Sequence, residues 1–167
     1  MRLRKFRVRA YRCIHDSGEI RVGDLAAFVG RNESGKTTIL QALTLLNREH
    51  QLSDLDLCDE MVEELKNEVM LAEGEFDLNH NETRIIKDSF PNIPEIKKIK
   101  IFRTNNSPIA QYDFGDVNIS EAENSGLNSW ENFIEKVSNF LDTIPNHIRI
   151  KLNTQFFEGQ APETEEI

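Results

Sequence analysis

Gly30-Arg31-Asn32-Glu33-Ser34-Gly35-Lys36-Thr37 is the stretch of this sequence whose residue types and spacing can do chemistry. It fits the pattern G-x-x-x-x-G-K-[ST], a loop that wraps phosphate groups. Gly30 and Gly35 admit backbone angles closed to other residues, so successive amides can turn inward around an anion. Lys36 brings a compact ammonium to β- and γ-phosphates, and the Thr37 hydroxyl suits a Mg2+ that bridges phosphate oxygens. A helix opening at the loop aims its positive end at the same place. Arg31, Asn32, Glu33, Ser34 and Thr38 complete the set expected around the nucleotide. The ligands implied are a nucleoside triphosphate and Mg2+.

Such a loop needs a strand before it and a helix after it, and both are legible. "LAAFVG" (25–30) is a short continuous apolar run ending in glycine, the pattern of a strand buried on both faces of a largely parallel sheet. "KTTILQALTLLN" reads as a helix, with Ile39, Leu40, Leu43 and Leu46 at helical spacing. Upstream, residues 3–11 alternate between charged and apolar, "HDSG" (15–18) reads as a turn, and "EIRV" (19–22) closes a hairpin. Downstream, "SDLDLCDEMVEELKNE" (53–68) reads as an acidic helix capped by Ser53, with Leu57, Met61 and Leu65 on one face. "EVMLAEGEFDL" (68–78) reads as a strand and "NETRIIKDSF" as a short helix stopped before Pro91. "EIKKIKIFRT" and "PIAQYDFGDV" read as a hairpin. The amphipathic stretch at 127–144 presents Trp130, Phe133, Ile134, Val137, Phe140, Leu141 and Ile144 as one apolar stripe for a core or docking face. The tail from 159 has the composition of a flexible segment.

The 167 residues suit one domain, and 38% apolar with 29% charged residues is an ordinary soluble composition. No apolar run approaches a membrane span, and the N-terminus lacks the apolar core of a signal peptide. Cys13 and Cys58 show no CxxC spacing, which points to a reducing cytoplasm and away from a disulfide framework or zinc site. The net charge of −9 conceals an asymmetry. "MRLRKFRVRAYR" carries six basic groups and no acidic one, leaving −15 for the remainder. A basic strand can track DNA phosphates, or it can be an edge strand whose Arg and Lys discourage pairing with other sheets.

The basic hairpin with its Tyr11-Arg12 pair, followed by "LAAFVGRNESGKTTILQALTLL", resembles the N-terminal lobe of ABC-type ATPase heads in the RecF, SMC and OLD-nuclease group. The "NESGKT" form of the loop is most similar to the OLD branch and its AAA-annotated relatives. The resemblance implies an α/β P-loop NTPase of ABC-ATPase-head type. Its mixed sheet would surround the phosphate-loop helix and be joined by an antiparallel β-subdomain. The lobe is expected over 1–158, divided near 50 and 120. In such heads, ATP is hydrolysed between two copies, and a Walker B segment ending in Asp-Glu holds Mg2+. The sequence has no such run; "LDLCDE" (55–60) comes nearest and reads as a solvated helix start. No LSGGQ-like signature is present either. The resemblance therefore implies the N-terminal piece of a longer protein whose partners are the rest of its own head, a second head, ATP and DNA. It also implies that Arg12 lies near the nucleotide, and that a glutamine contacts the metal, for which Gln111 and Gln155 are the candidates.

Other phosphate-loop readings fit less of the sequence. A GTP switch needs DxxG and NKxD motifs, which are absent, and a small-molecule kinase needs arginines late in the chain, where only Arg149 follows Arg103. A non-enzymatic module stabilised by nucleotide is the remaining alternative.

Overall fold

In the N-terminal strand, apolar side chains alternate with charged ones, and the strand buries one face and wets the other. In the computed structural model, which describes residues 1–23, 26–31, 34–47, 50–91, 93–115 and 117, Arg2–Tyr11 is a ten-residue strand, β1. Its Phe6, Val8 and Ala10 are buried, while Lys5, Arg7 and Arg9 lie on the other face. Two short strands, β2 (Ile14–Asp16) and β3 (Ile20–Arg21), pair with the two halves of one edge of β1. Its other edge takes β4 (Met70–Asp77), which in turn pairs with β5 (Lys98–Thr104), and β5 with β6 (Gln111–Asp113). The order is β2-β1-β4-β5-β6. The helix α1 (Lys36–Ala42) continues as a 3-10 turn over Leu43–Leu46, and α2 (His80–Ser89) joins β4 to β5.

The core lies between one sheet face and the end of the α1 segment. Phe6 pairs with Gly74 and Val8 with Ala72, so these residues share a face. Leu45 and Leu46 are buried within the same apolar cluster. A methyl group at Gly74 would come within 2.9 Å of Leu46 Cδ1, so the leucine packs directly on the sheet backbone there. At α2, the Asn79 side chain accepts from the Glu82 amide at 2.9 Å, while Glu82 accepts from the Asn79 amide at 2.8 Å. That reciprocal cap explains why a ten-residue helix starts where it does.

The sheet's second face is a cross-strand charge ladder. Lys5 pairs with Glu75 at 2.9 Å and Glu19 at 3.0 Å; Arg4 pairs with Asp77, and Lys100 of β5 with Glu73. Arg7 Nε donates to Asp16 at 2.9 Å. Basic β1 and the lysines of β5 thus flank acidic β4, where opposite charges across strands are stabilising. The expectation of an edge strand is overturned, because β1 is paired along both edges. The cations of β1 meet carboxylates of the same sheet.

Two expected elements take another form. Every described strand pairing is antiparallel, so the described sheet is not mixed, and residues 26–31 belong to no strand. A strand buried on both faces needs neighbours that pair with it and layers that cover it. The free edge of β1 is occupied by β2 and β3, no described strand offers a parallel ladder, and Val29 is 94% exposed. The stretch 53–68 is not one helix but three 3-10 turns, at Asp54–Asp56, Asp59–Met61 and Glu64–Lys66. Leu57 is extended and forms an antiparallel bridge with Tyr11, which interrupts the helical ladder after Asp56. The turn read at 15–18 also begins earlier, because the chain reverses at Arg12 and Cys13, and His15 and Asp16 already belong to β2. The stripe at 127–144 and the tail lie outside the described residues.

Candidate functional site

Lys36 is the hub of the phosphate loop. Its Nζ donates to the carbonyl of Gly30 at 2.8 Å, to the carbonyl of Arg31, and to Ser34 Oγ at 3.2 Å. The ammonium therefore lies inside the bend formed by its own loop. The loop is drawn tight, since a methyl group at Gly30 would come within 2.9 Å of Ser34 Oγ. Ser34 N also donates to the Arg31 carbonyl at 3.3 Å.

Gly35 makes the change from loop to helix. It has φ +79° as the residue before α1, a left-handed conformation that glycine adopts without a Cβ clash. Its carbonyl accepts from the Ile39 amide at 2.9 Å and so begins the helical ladder. Thr37 is exposed in the first turn, and half-buried Thr38 accepts from Cys13 Sγ. The residues described fit a phosphate ligand: a caged ammonium, a tight glycine bend, an exposed hydroxyl and the start of a helix lie within nine positions. Lys36 would hold phosphate oxygens and Thr37 a Mg2+. When bound, ATP with its metal supplies the phosphoanhydride bond that an ATPase breaks.

A second cluster braces this loop from below. Arg12 has φ +49°. Its Nε and Nη2 donate to Asp56 Oδ1 at 3.1 and 2.9 Å, its Nη1 donates to Gln41 Oε1 of α1 at 2.7 Å, and its guanidinium lies 5.2 Å from the Tyr11 ring centre. Cys13 Sγ donates to Thr38 Oγ1 at 3.7 Å, and Ile14 Cδ1 lies 3.2 Å from the point where a Gly35 methyl would stand. Asp56 is only 6% exposed. Burial alone would raise its carboxyl, but Arg12 and the Ser53 amide and hydroxyl hold it below the ordinary carboxylate range. The Tyr11 hydroxyl is pushed up to about 12, first by burial and then by the Asp56 charge.

The site residues read from the sequence thus fall into three groups. Gly30, Arg31, Ser34, Gly35, Lys36, Thr37 and Thr38 form one loop-and-helix unit, and Arg12 reaches the flank of its helix. Gln111 is on β6, exposed, with β4 and β5 between its strand and β1. Asn32, Glu33 and Gln155 lie outside the described residues. The stretch 55–60 forms no strand, and Leu55 is 88% exposed while Glu60 meets His15 Nε2 at 2.6 Å. Asp56, however, is not a solvated helix residue but the buried partner of Arg12. The sequence reading missed Cys13, Ile14, Gln41 and Asp56; the Ser53-x-x-Asp56 spacing is the one local signal that marks any of them.

A glycine-bracketed loop closed on its own lysine and running into a helix defines a P-loop nucleotide-binding protein. The family model of the AAA ATPase domain matches residues 1–158, and the chain belongs to that family. No curated protein matches the chain. Its function is accordingly that of a nucleotide-binding, ATPase-like P-loop domain.

Proposed function

We propose that the chain is the ATP-binding lobe of an ABC-like ATPase head of the OLD, RecF and SMC type. It supplies the phosphate loop and its braced helix, with Lys36 on the phosphates and Thr37 on Mg2+. The observation that carries this reading is the convergence of Lys36 Nζ on the Gly30 carbonyl, the Arg31 carbonyl and Ser34 Oγ. Among the described residues the expected cradle of inward amides is not formed, because the Gly30 and Arg31 carbonyls face Lys36. On binding, Lys36 exchanges them for phosphate oxygens and these carbonyls turn away from the anion. The antiparallel sheet fits the β-subdomain of such a head, while the unpaired 26–31 run, with Val29 exposed, suits a strand whose parallel neighbours come from the remainder of the head.

On this reading the lobe spans 1–158, and hydrolysis takes place between two heads in the cytoplasm. Walker B and signature residues then come from other sequence, and the whole assembly acts in DNA metabolism or phage defence. Because the β1 cations are paired within the sheet, DNA is contacted by other parts of the assembly. The test is calorimetry with Mg·ATP, together with a turnover assay on the same preparation. Binding without appreciable hydrolysis is expected. Rapid hydrolysis by the chain alone would contradict the divided site, and GTP outcompeting ATP would contradict the ATP assignment.

A further inference from the structure

The end of β1 and the turn after it are held in an unfavourable backbone. Ala10 has φ +47° and Arg12 φ +49°, and neither is glycine. Such conformations are strained for residues with a side chain and persist only where the surroundings fix them. Here the surroundings are the turn at 53–58. Arg12 N donates to the Asp56 carbonyl at 2.9 Å, Cys58 N donates to the Ala10 carbonyl at 3.0 Å, and Tyr11 bridges to Leu57. The side chains repeat the connection, because Asp56 Oδ1 accepts twice from Arg12 while Asp56 Oδ2 accepts from the Ser53 amide and hydroxyl, each at 3.2 Å. One buried carboxylate thus joins two segments 44 positions apart.

The strained turn leads straight into the phosphate loop. Directly after Arg12, Cys13 meets Thr38 and Ile14 lies against Gly35, while Arg12 itself grips Gln41 further along α1. The turn therefore touches the helix at both its start and its far end. We propose that Asp56 is a positioning residue for nucleotide binding: through Arg12 it fixes the Tyr11–Ile14 turn that seats Gly35 and α1. This rests on the nucleotide-binding reading but assigns Arg12 a different task. Its fork is committed to Asp56 and Gln41, so it acts as a strut beneath the loop rather than as a phosphate ligand.

The two tasks predict opposite signs. If Asp56 merely held Arg12 away from the phosphates, Asp56→Asn would tighten Mg·ATP binding. As a positioning residue it does the reverse: Asp56→Asn weakens binding about tenfold, Arg12→Gln weakens it similarly, and the double variant is no weaker than either single one. Hydrogen exchange supplies a readout independent of nucleotide. Asp56→Asn should accelerate exchange at the amides of 12–14 and 35–39 while β4 and β5 keep their protection, which shows that the fold is intact. Arg12→Lys should reproduce this, since an ammonium cannot span Asp56 and Gln41 as the fork does. Unchanged or tighter binding by Asp56→Asn, additive losses in the double variant, or unchanged exchange at 12–14 would each overturn the proposal. Failure of the wild-type chain to bind Mg·ATP would instead overturn the nucleotide reading, and the exchange experiment would still decide whether Asp56 fixes the turn.

Discussion

The β-sheet and the phosphate loop are held by different means. In the sheet, Val8 and Leu71 have no exposed surface, the β1, β4 and β5 ladders are continuous apart from one irregularity each, and the outer face is closed by cross-strand ion pairs. The loop is held by one ammonium, one left-handed glycine and the turn at Arg12–Ile14, while Val29 beside it is 94% exposed. The difference teaches where stability and function reside. The sheet and the leucines of the α1 segment bury the apolar surface that stabilises the fold. The loop contributes little burial, and its ammonium is held only by loop carbonyls and a serine hydroxyl, partners that a ligand's phosphate oxygens can replace.

The largest effect should come from breaking the sheet side. Leu45 has no exposed surface in the core cluster, so Leu45→Ala should destabilise the chain by about 2–5 kcal/mol in urea unfolding. Loss of nucleotide binding should then only follow the loss of folded protein. Gly35→Ala tests the other side. A side chain at φ +79°, with Ile14 Cδ1 at 3.2 Å, should cost about 1–3 kcal/mol and weaken nucleotide binding even where the chain remains folded.

Titration separates the two regions more gently. Asp16 at the sheet edge is held at about 2 by the Arg7 guanidinium, against an ordinary 3.8, and Asp56 is also lowered. Carboxyl groups with lowered values in the folded state stabilise above their unfolded value, and that stability is lost as pH falls from about 4 toward 2. Tyr11 behaves oppositely: raised from 10.0 to about 12, it stabilises fully below 10, and its contribution disappears as pH rises toward 12. Unfolding free energy against pH should therefore decline at both ends, and Tyr11→Phe should lessen the alkaline decline. The part left is due to Lys5, whose value is raised by its hydrogen bonds to Glu75 and Glu19. The smallest effect belongs to Val29→Ser, which should leave stability within about 0.5 kcal/mol because the side chain touches almost nothing.

The same contrast explains what could be read in advance. β1, β4, α2 and the β5–β6 hairpin follow from alternation and capping residues that are local in sequence. The phosphate loop was legible because its chemistry fixes residue types at fixed spacing. The 25–30 run shows the limit of periodicity: it records that a strand suits burial, but a strand forms only where neighbours pair with it. At 53–68, helical spacing was overridden by a bridge from Leu57 to Tyr11 and by the Arg12–Asp56 pair. Neither contact leaves a local signal, because each joins segments more than forty positions apart.

Calorimetric titration of the chain and its Lys36→Ala variant with Mg·ATP tests the central claim most directly. The loop geometry predicts saturable heat for the wild-type chain and none for the variant, with the two unfolding alike in urea. Equal heats for both, or no heat for a wild-type chain shown to be folded, would contradict it.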